Sequence, residues 1–135
     1  RWIGRKNQKT IHNEQLVKTS NCRVMSEAIM STSSPDYYTA ENINILRNLQ
    51  SLTKQTVYGG SSTAYAQIAG GRIDFGIDAK FDIHDFLPLV PIIEGAGGQL
   101  TDWQGKALSQ QSGTENMLAS ANSFLHEGIL EKINN

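Results

Sequence analysis

Three aspartates lie close together in the sequence, at Asp78, Asp82 and Asp85. Carboxylate oxygens are the ligands that Mg²⁺ prefers, and a bound Mg²⁺ polarises a phosphoryl oxygen and lowers the pKa of an attacking water. Three neighbouring carboxylates repel one another unless a cation or hydrogen-bond donors compensate for their charge. Their spacing is therefore typical of a metal site, and it is at least as typical of a solvated loop.

Asp85 has the most informative surroundings of the three. It stands directly before an uncharged apolar run at residues 86–93, which ends in Glu-Gly-Ala-Gly-Gly at 94–98. A carboxylate at the start of a buried element, followed by glycines that end the element, can be aimed into a cleft as a ligand. On position alone, an aspartate that caps a helix or faces solvent in its first turn is more frequent. Both interpretations stay open.

Two further features could belong to a binding site. Gly59, Gly60 and Ser61 follow a predicted strand and precede a predicted helix, where backbone N–H groups suit an anion. A plain tight turn is the more frequent explanation of the same residues. His84 stands beside Asp85 and could contact a substrate or act as an acid, although a partly buried, hydrogen-bonded histidine is the commoner role.

The elements that must hold these residues alternate between strands and helices. Alternating apolar residues and short apolar runs predict strands, and apolar stripes at helical spacing predict helices. Pro88 and Pro91 argue against a helix over the apolar run, because each removes a backbone donor. A loose surface hairpin is expected over residues 1–20. The remaining elements are strands over 28–32, 55–58, 73–78, 99–102 and 116–121, a helix over 39–52 capped by Thr39, a helix over 63–69, and a last helix capped by Ser123.

This order of elements predicts an α/β fold in which helices cover the faces of a layered sheet. The chain has 135 residues, of which 39% are hydrophobic and 19% are charged, so it is long and apolar enough for one globular core. No internal linker is visible. Residues 1–135 are therefore predicted to form a single domain.

Composition argues against several classes of protein. The net charge is −1, and no dense basic cluster is present to neutralise phosphates, so a nucleic-acid partner is not expected. No apolar run approaches 18 residues, so a membrane span is not expected either. The single cysteine, Cys22, cannot form an internal disulfide, which fits a reducing cytoplasm.

Several segments resemble the inositol-monophosphatase family of metal-dependent phosphatases. Residues 85–98 resemble the last metal-ligand motif of that family, with matching spacing. Tyr-Gly-Gly at 58–60 resembles its substrate-contact turn, and residues 69–74 resemble its passage from helix to strand. The resemblance extends over residues 1–133. The segments most similar to the histidinol-phosphatase branch are Asp-Phe-Leu at 85–87, residues 90–95 and Thr-Asp-Trp at 101–103.

The resemblance implies roles for individual residues. Asp85 would be a ligand of Mg²⁺ and also a catalytic residue that orients the attacking water. Gly59, Gly60 and Ser61 would line the substrate. Asp78 would take the position of a glutamate that contacts polar groups of the substrate in the family.

The resemblance also implies the fold and its missing parts. The expected fold is a mixed sheet flanked by helices, with a kinked helix over residues 86–96, as in the C-terminal lobe of the two-lobe phosphatases. The family's other metal ligands lie in a segment that contains glutamate and in an Asp-Pro motif. All three prolines here follow Ser34, Leu87 or Val90, so that motif is absent. An N-terminal lobe of the same protein is the expected partner, and the isolated chain is expected to be inactive.

The substrate implied for the whole protein is histidinol phosphate, within the broader class of small phosphorylated metabolites. Three departures weaken that choice: Val57 stands where this branch often has arginine, Ser61 where it often has aspartate, and Asp78 where glutamate is usual. Inositol monophosphate or another sugar phosphate is the alternative. A non-catalytic binding module, or a lobe that mainly forms a homodimer, is the alternative from another class.

Overall fold

The N-terminal segment forms a small antiparallel sheet of three short strands. The structure is a computed structural model, and it describes residues 1–113 and 115–135. Strand β1 (Trp2–Ile3) pairs with β2 (Ile11–His12), which in turn pairs with β3 (Gln15–Leu16). The sequence predicted a loose hairpin here, and a third short strand completes it.

Among the described residues, the main sheet has five strands in the order β5-β4-β6-β8-β7. Strand β4 is parallel to both β5 and β6, whereas β8 is antiparallel to β6 and β7. The predicted mixed sheet is therefore confirmed. The strand bounds are β4 Ile29–Thr32, β5 Gln55–Tyr58, β6 Phe75–Phe81, β7 Gln99–Asp102 and β8 Glu115–Ser120.

In the part of the chain that the structure describes, five α-helices connect and cover the strands: α1 Ile43–Leu52, α2 Ser61–Ala69, α3 Ile83–Phe86, α4 Leu89–Gly95 and α5 Ser123–Asn134. Single 3-10 turns occur at Met25–Glu27 and Pro35–Tyr37. The predicted cap of α5 is wrong, because Asn122, whose side chain accepts a hydrogen bond from the Leu125 amide, caps it rather than Ser123. Helix α1 begins at Ile43 rather than near Thr39, and Asn42 precedes it without a side-chain cap. Thr39 Oγ1 accepts from the Asn42 amide at 3.4 Å in the turn that leads into α1, so the predicted capping contact forms one turn earlier.

The prolines explain why the predicted kinked helix is two short helices. Pro88 is the N-cap of α4, and Pro91 lies in its first turn. Amide groups in the first turn of a helix have no partner within the helix, so proline loses no hydrogen bond at either position. The first helix ends at Phe86, and a second helix begins at Leu89. The argument that proline disfavours a helix was therefore correct for residues 87–88, where the helix is interrupted, and wrong for residues 89–95, which are helical.

Helices pack on both faces of the main sheet. One apolar cluster joins α1 and α5 to the sheet through Leu46, Leu49, Phe75, Leu118 and Ile129. The second cluster joins α2, α3 and α4 to the other face, with Tyr65, Ile68, Phe86, Ile93 and Met117 among its members. Within the described part of the chain, no helix combines the length and the apolar content that crossing a membrane requires.

His126 is a buried polar residue of this core, with only 3% of its surface exposed. Thr101 donates its hydroxyl hydrogen to the Asp102 carbonyl at 2.7 Å, so Nε2 of His126 is the donor in its 2.9 Å contact with Thr101 Oγ1. Nδ1 then accepts from Ser120 Oγ at 2.6 Å. Both ring nitrogens are satisfied in the neutral form, and burial lowers the pKa of His126 to about 4.

This histidine should make the protein lose stability in mild acid. The ordinary histidine pKa is 6.5, so between pH 6.5 and about 4 this histidine is protonated in the unfolded chain and neutral in the native state. The stabilisation is fully present above pH 6.5 and is lost as the pH falls through this window. Since each tenfold difference in proton affinity is worth about 1.4 kcal/mol, the loss reaches up to about 3 kcal/mol. Urea unfolding at a series of pH values should show this loss of unfolding free energy in the wild type and not in His126→Gln. Parallel curves for the two proteins would contradict the assignment.

Candidate functional site

A cleft of about 310 Å³ opens at the carboxyl ends of the three parallel strands β5, β4 and β6. Ligand sites of α/β sheets form at this edge. Of the predicted site residues, the structure brings Gly59, Ser61 and Asp85 together on the lining of this cleft. The other lining residues are Ser33, Tyr37, Ala79, Lys80 and Phe81.

The glycine turn that follows β5 is shaped by its own backbone. Gly59 has φ +73°, which glycine adopts without steric cost, and its amide donates to the carbonyls of Thr32 at 3.2 Å and Ser33 at 3.0 Å. A Cβ at Gly60 would lie 2.5 Å from the Ala64 Cβ, so a side chain cannot be accommodated at Gly60. Gly60 precedes α2 and has no side chain to cap it. The turn therefore leaves the beginning of α2 open to the cleft.

Asp85 lies in α3 and forms a capping box with Asp82. The Asp82 carboxylate accepts from the Ile83 amide at 2.7 Å, and Oδ2 of Asp85 accepts from the Asp82 amide at 3.0 Å. Within the described residues, no donor contacts Oδ1 of Asp85 at hydrogen-bond distance. The capping role and the ligand role, which the sequence left as alternatives, are therefore compatible, since each uses a different oxygen.

His84 and Asp78 do not reach the lining of the cleft. His84 is exposed on α3. Asp78 is completely buried in the middle of β6, where its carboxylate accepts hydrogen bonds from Thr32, Ser33 and Tyr65. Burial raises the pKa of Asp78, and these hydrogen bonds oppose the rise. The structure thus places Asp78 beneath the cleft, in contact with the lining residue Ser33 and outside the lining itself, whereas the resemblance implied contact with polar groups of the substrate.

Sequence reasoning missed Lys80, the cationic residue on the lining of the cleft. Lys80 has φ +59°, and the register between β6 and β8 shifts between Asp78 and Phe81. The Lys80 amide donates to Asn116 Oδ1 at 3.2 Å. Because the irregularity depends on β8, which comes more than thirty residues later, no local pattern could have indicated it. Backbone strain of this kind persists where the surrounding structure enforces it, often at functional sites.

The residues present fit a Mg²⁺ ion only as one part of its coordination. In residues 1–113 and 115–135, no group of three or more His, Cys, Asp or Glu side chains is placed to hold a metal ion. Mg²⁺ keeps several waters and is commonly bound by one or two carboxylates together with substrate phosphate. The Oδ1 atom of Asp85, on the lining of a cleft of suitable size for a small phosphate ester, fits that kind of ligand.

Two known phosphatases are similar to this chain in sequence. The chain is 34% identical over 139 residues to the bifunctional phosphatase IMPL2, chloroplastic, of Arabidopsis thaliana, a match that covers 98% of this chain and 40% of that protein. It is 24% identical over 123 residues to the fructose-1,6-bisphosphatase/inositol-1-monophosphatase of Thermotoga maritima, covering 90% of this chain and 46% of that protein.

The fold of this chain is also similar to that of a solved structure. An inositol monophosphatase from Zymomonas mobilis superposes with a TM-score of 0.95 at 28% identity, over 99% of this chain and 53% of that one. The chain therefore spans about half the length of the proteins it matches. The model of the inositol monophosphatase family matches residues 1–135. The chain belongs to the inositol monophosphatase family.

Proposed function

We propose that this chain supplies one side of the active site of a Mg²⁺-dependent phosphatase that hydrolyses a small phosphate monoester. The observation that carries the proposal is the meeting of Asp85, Gly59 and Ser61 on one cleft at the ends of parallel strands. Membership of a phosphatase family supports the same reaction class. The rest of the site would come from an N-terminal lobe of the same protein, and a homodimer is a further proposed assembly.

Each residue has a proposed task in this reaction. Oδ1 of Asp85 would hold Mg²⁺ and help to orient the attacking water, while Oδ2 remains bound to the Asp82 amide. When bound, Mg²⁺ stabilises the charge on the phosphoryl oxygens and lowers the pKa of water. The turn at Gly59 and Gly60 and the Ser61 hydroxyl would contact the substrate. His84, exposed one residue before Asp85 and outside the lining of the cleft, would contact a part of the substrate that extends beyond that lining.

The proposed location of the protein is the cytoplasm. The proposed substrate is histidinol phosphate, because residues 85–87 resemble the histidinol-phosphatase branch. Inositol monophosphate is the second candidate, because the family model and the Zymomonas mobilis relative carry that name. Phosphate release by the full-length gene product with Mg²⁺ should be measured on both esters side by side. A higher kcat/KM for histidinol phosphate is expected. A higher kcat/KM for inositol monophosphate would make that ester the assigned substrate.

Lys80 should assist the binding of the anionic substrate. Lys80→Gly removes the charge and relieves the left-handed backbone, so the protein should fold at least as well as the wild type. An ion contact worth up to about 1 kcal/mol corresponds to a rise in KM of about fivefold, with little change in kcat. The matched control is Glu14→Gly, which relieves φ +69° outside the cleft. An unchanged KM in Lys80→Gly would show that Lys80 does not assist substrate binding.

A further inference from the structure

We propose that Asp78 is a positioning residue that fixes Ser33, and through Ser33 the glycine turn, on the wall of the cleft. Both carboxylate oxygens are fully used. Oδ1 accepts from the Ser33 amide at 2.8 Å and from Thr32 Oγ1 at 3.2 Å. Oδ2 accepts from the Tyr65 hydroxyl at 2.8 Å and from Ser33 Oγ at 3.1 Å. An ionised carboxylate has about four acceptor positions, so none is left for a substrate hydroxyl.

Ser33 connects Asp78 to the cleft. It lines the cleft directly, and its carbonyl accepts the Gly59 amide at 3.0 Å. One buried carboxylate on β6 thus holds the residue that follows β4, which in turn holds the residue that follows β5. The ends of β4 and β5 are thus tied at Ser33 to the middle of β6, so the position of the cleft wall depends on Asp78.

The arrangement also fixes what Ser33 presents to a ligand. A serine hydroxyl has one hydrogen and two lone pairs, and Ser33 donates that hydrogen to Asp78. Ser33 Oγ can therefore only accept from a ligand. This inference rests on the proposed function, and it adds that the substrate carries a hydrogen-bond donor, a hydroxyl or an amine, that meets Ser33.

The test uses three variants of the full-length gene product. Asp78→Asn keeps the shape and places an amide NH₂ opposite hydroxyl and amide donors. Ser33→Ala removes the proposed contact with the ligand. Tyr65→Phe removes one donor from Oδ2 at a fully buried position that does not line the cleft, and it remains informative if Asp78→Asn fails to fold. Unfolding curves confirm that each variant is folded before its kinetics are compared.

The kinetic readout separates positioning from direct contact. The contact that the substrate loses is a hydrogen bond to the uncharged Ser33 hydroxyl, which is typically worth a factor of about five, so Asp78→Asn and Ser33→Ala should each raise KM by about fivefold. The double variant should be no worse than the more affected single variant, because both changes remove the same contact. Tyr65→Phe should raise KM in the same direction by a smaller factor. Additive effects of Asp78→Asn and Ser33→Ala, or a loss of kcat with unchanged KM in both, would overturn the proposal.

A second readout does not depend on activity. In nuclear magnetic resonance spectra, the amide protons of Ser33 and Gly59 should move together in Asp78→Asn and in Tyr65→Phe, since both amides report the same chain of hydrogen bonds. Shifts at both amides support the positioning role even if the wild type releases no phosphate, which would overturn the proposed function alone. Unmoved Ser33 and Gly59 amides in the folded variants would overturn the positioning role, whatever the activity.

Discussion

Replacing Asp85 with asparagine should lower Mg²⁺-dependent phosphate release by about 100-fold or more in the full-length gene product. The change removes the negative charge that would hold the cation, and stabilisation of this electrostatic kind is commonly worth factors of that size. The amide oxygen of asparagine can still accept from the Asp82 amide, so the capping box and the fold should survive. Initial rates of phosphate release across a series of Mg²⁺ concentrations measure the effect.

Asp82→Asn is the matched control for that variant. Asp82 shares the capping box with Asp85 and does not line the cleft. If Asp85 acts as a ligand, Asp82→Asn should keep a rate within about threefold of the wild type, because only a cap is perturbed. Equal losses in the two variants would show that Asp85 matters through helix α3 and not through a metal ion.

Gly95→Ala should lower the free energy of unfolding by about 1–3 kcal/mol, which is the usual cost of forcing extra volume into a packed site. A Cβ at Gly95 would lie 2.5 Å from the Gln8 carbonyl oxygen and 2.6 Å from Thr10 Oγ1. The backbone has little freedom to move away, because the Thr10 amide donates to the Gly95 carbonyl and Thr10 Oγ1 donates to the Ile92 carbonyl. Urea unfolding of the purified protein measures the change.

Gly128→Ala is the control for the glycine prediction. Gly128 lies inside α5, and a Cβ there would meet no atom within 4 Å. Alanine should therefore stabilise the protein by about 0.5–1 kcal/mol through helix propensity alone. An unchanged stability of Gly95→Ala would mean that the close approach of residues 8–10 to α4 is wrong, whereas destabilisation of Gly128→Ala would mean that the open surroundings of Gly128 in α5 are wrong.

The glycines at 95, 97 and 98 show how much of the fold a local sequence pattern could predict. The sequence predicted that they end the buried element, and α4 does end at Gly95. Their second purpose depends on distant backbone, since a Cβ at Gly95 would meet Gln8 and a Cβ at Gly98 would lie 2.6 Å from the Ser120 carbonyl oxygen. No local pattern reveals such contacts.

The candidate site, like the fold, could be predicted only in part from local sequence patterns. Strand and glycine signals were enough to place Gly59 and Ser61, and a motif was enough to place Asp85, on what proved to be one cleft. The burial of Asp78 could not be predicted, because its donors come from Ser33, which lies 45 residues away, and from Tyr65. Lys80 was missed because its conformation arises from pairing with β8.

The most direct measurement is the dependence of phosphate release on Mg²⁺ for the full-length gene product, with histidinol phosphate as the first substrate and inositol monophosphate as the second. We expect saturable activation by Mg²⁺, complete loss of release when the cation is chelated, and recovery when Mg²⁺ is restored. Equal release with and without Mg²⁺, or no release from either ester by a correctly folded protein, would contradict a Mg²⁺-dependent phosphatase built on Asp85.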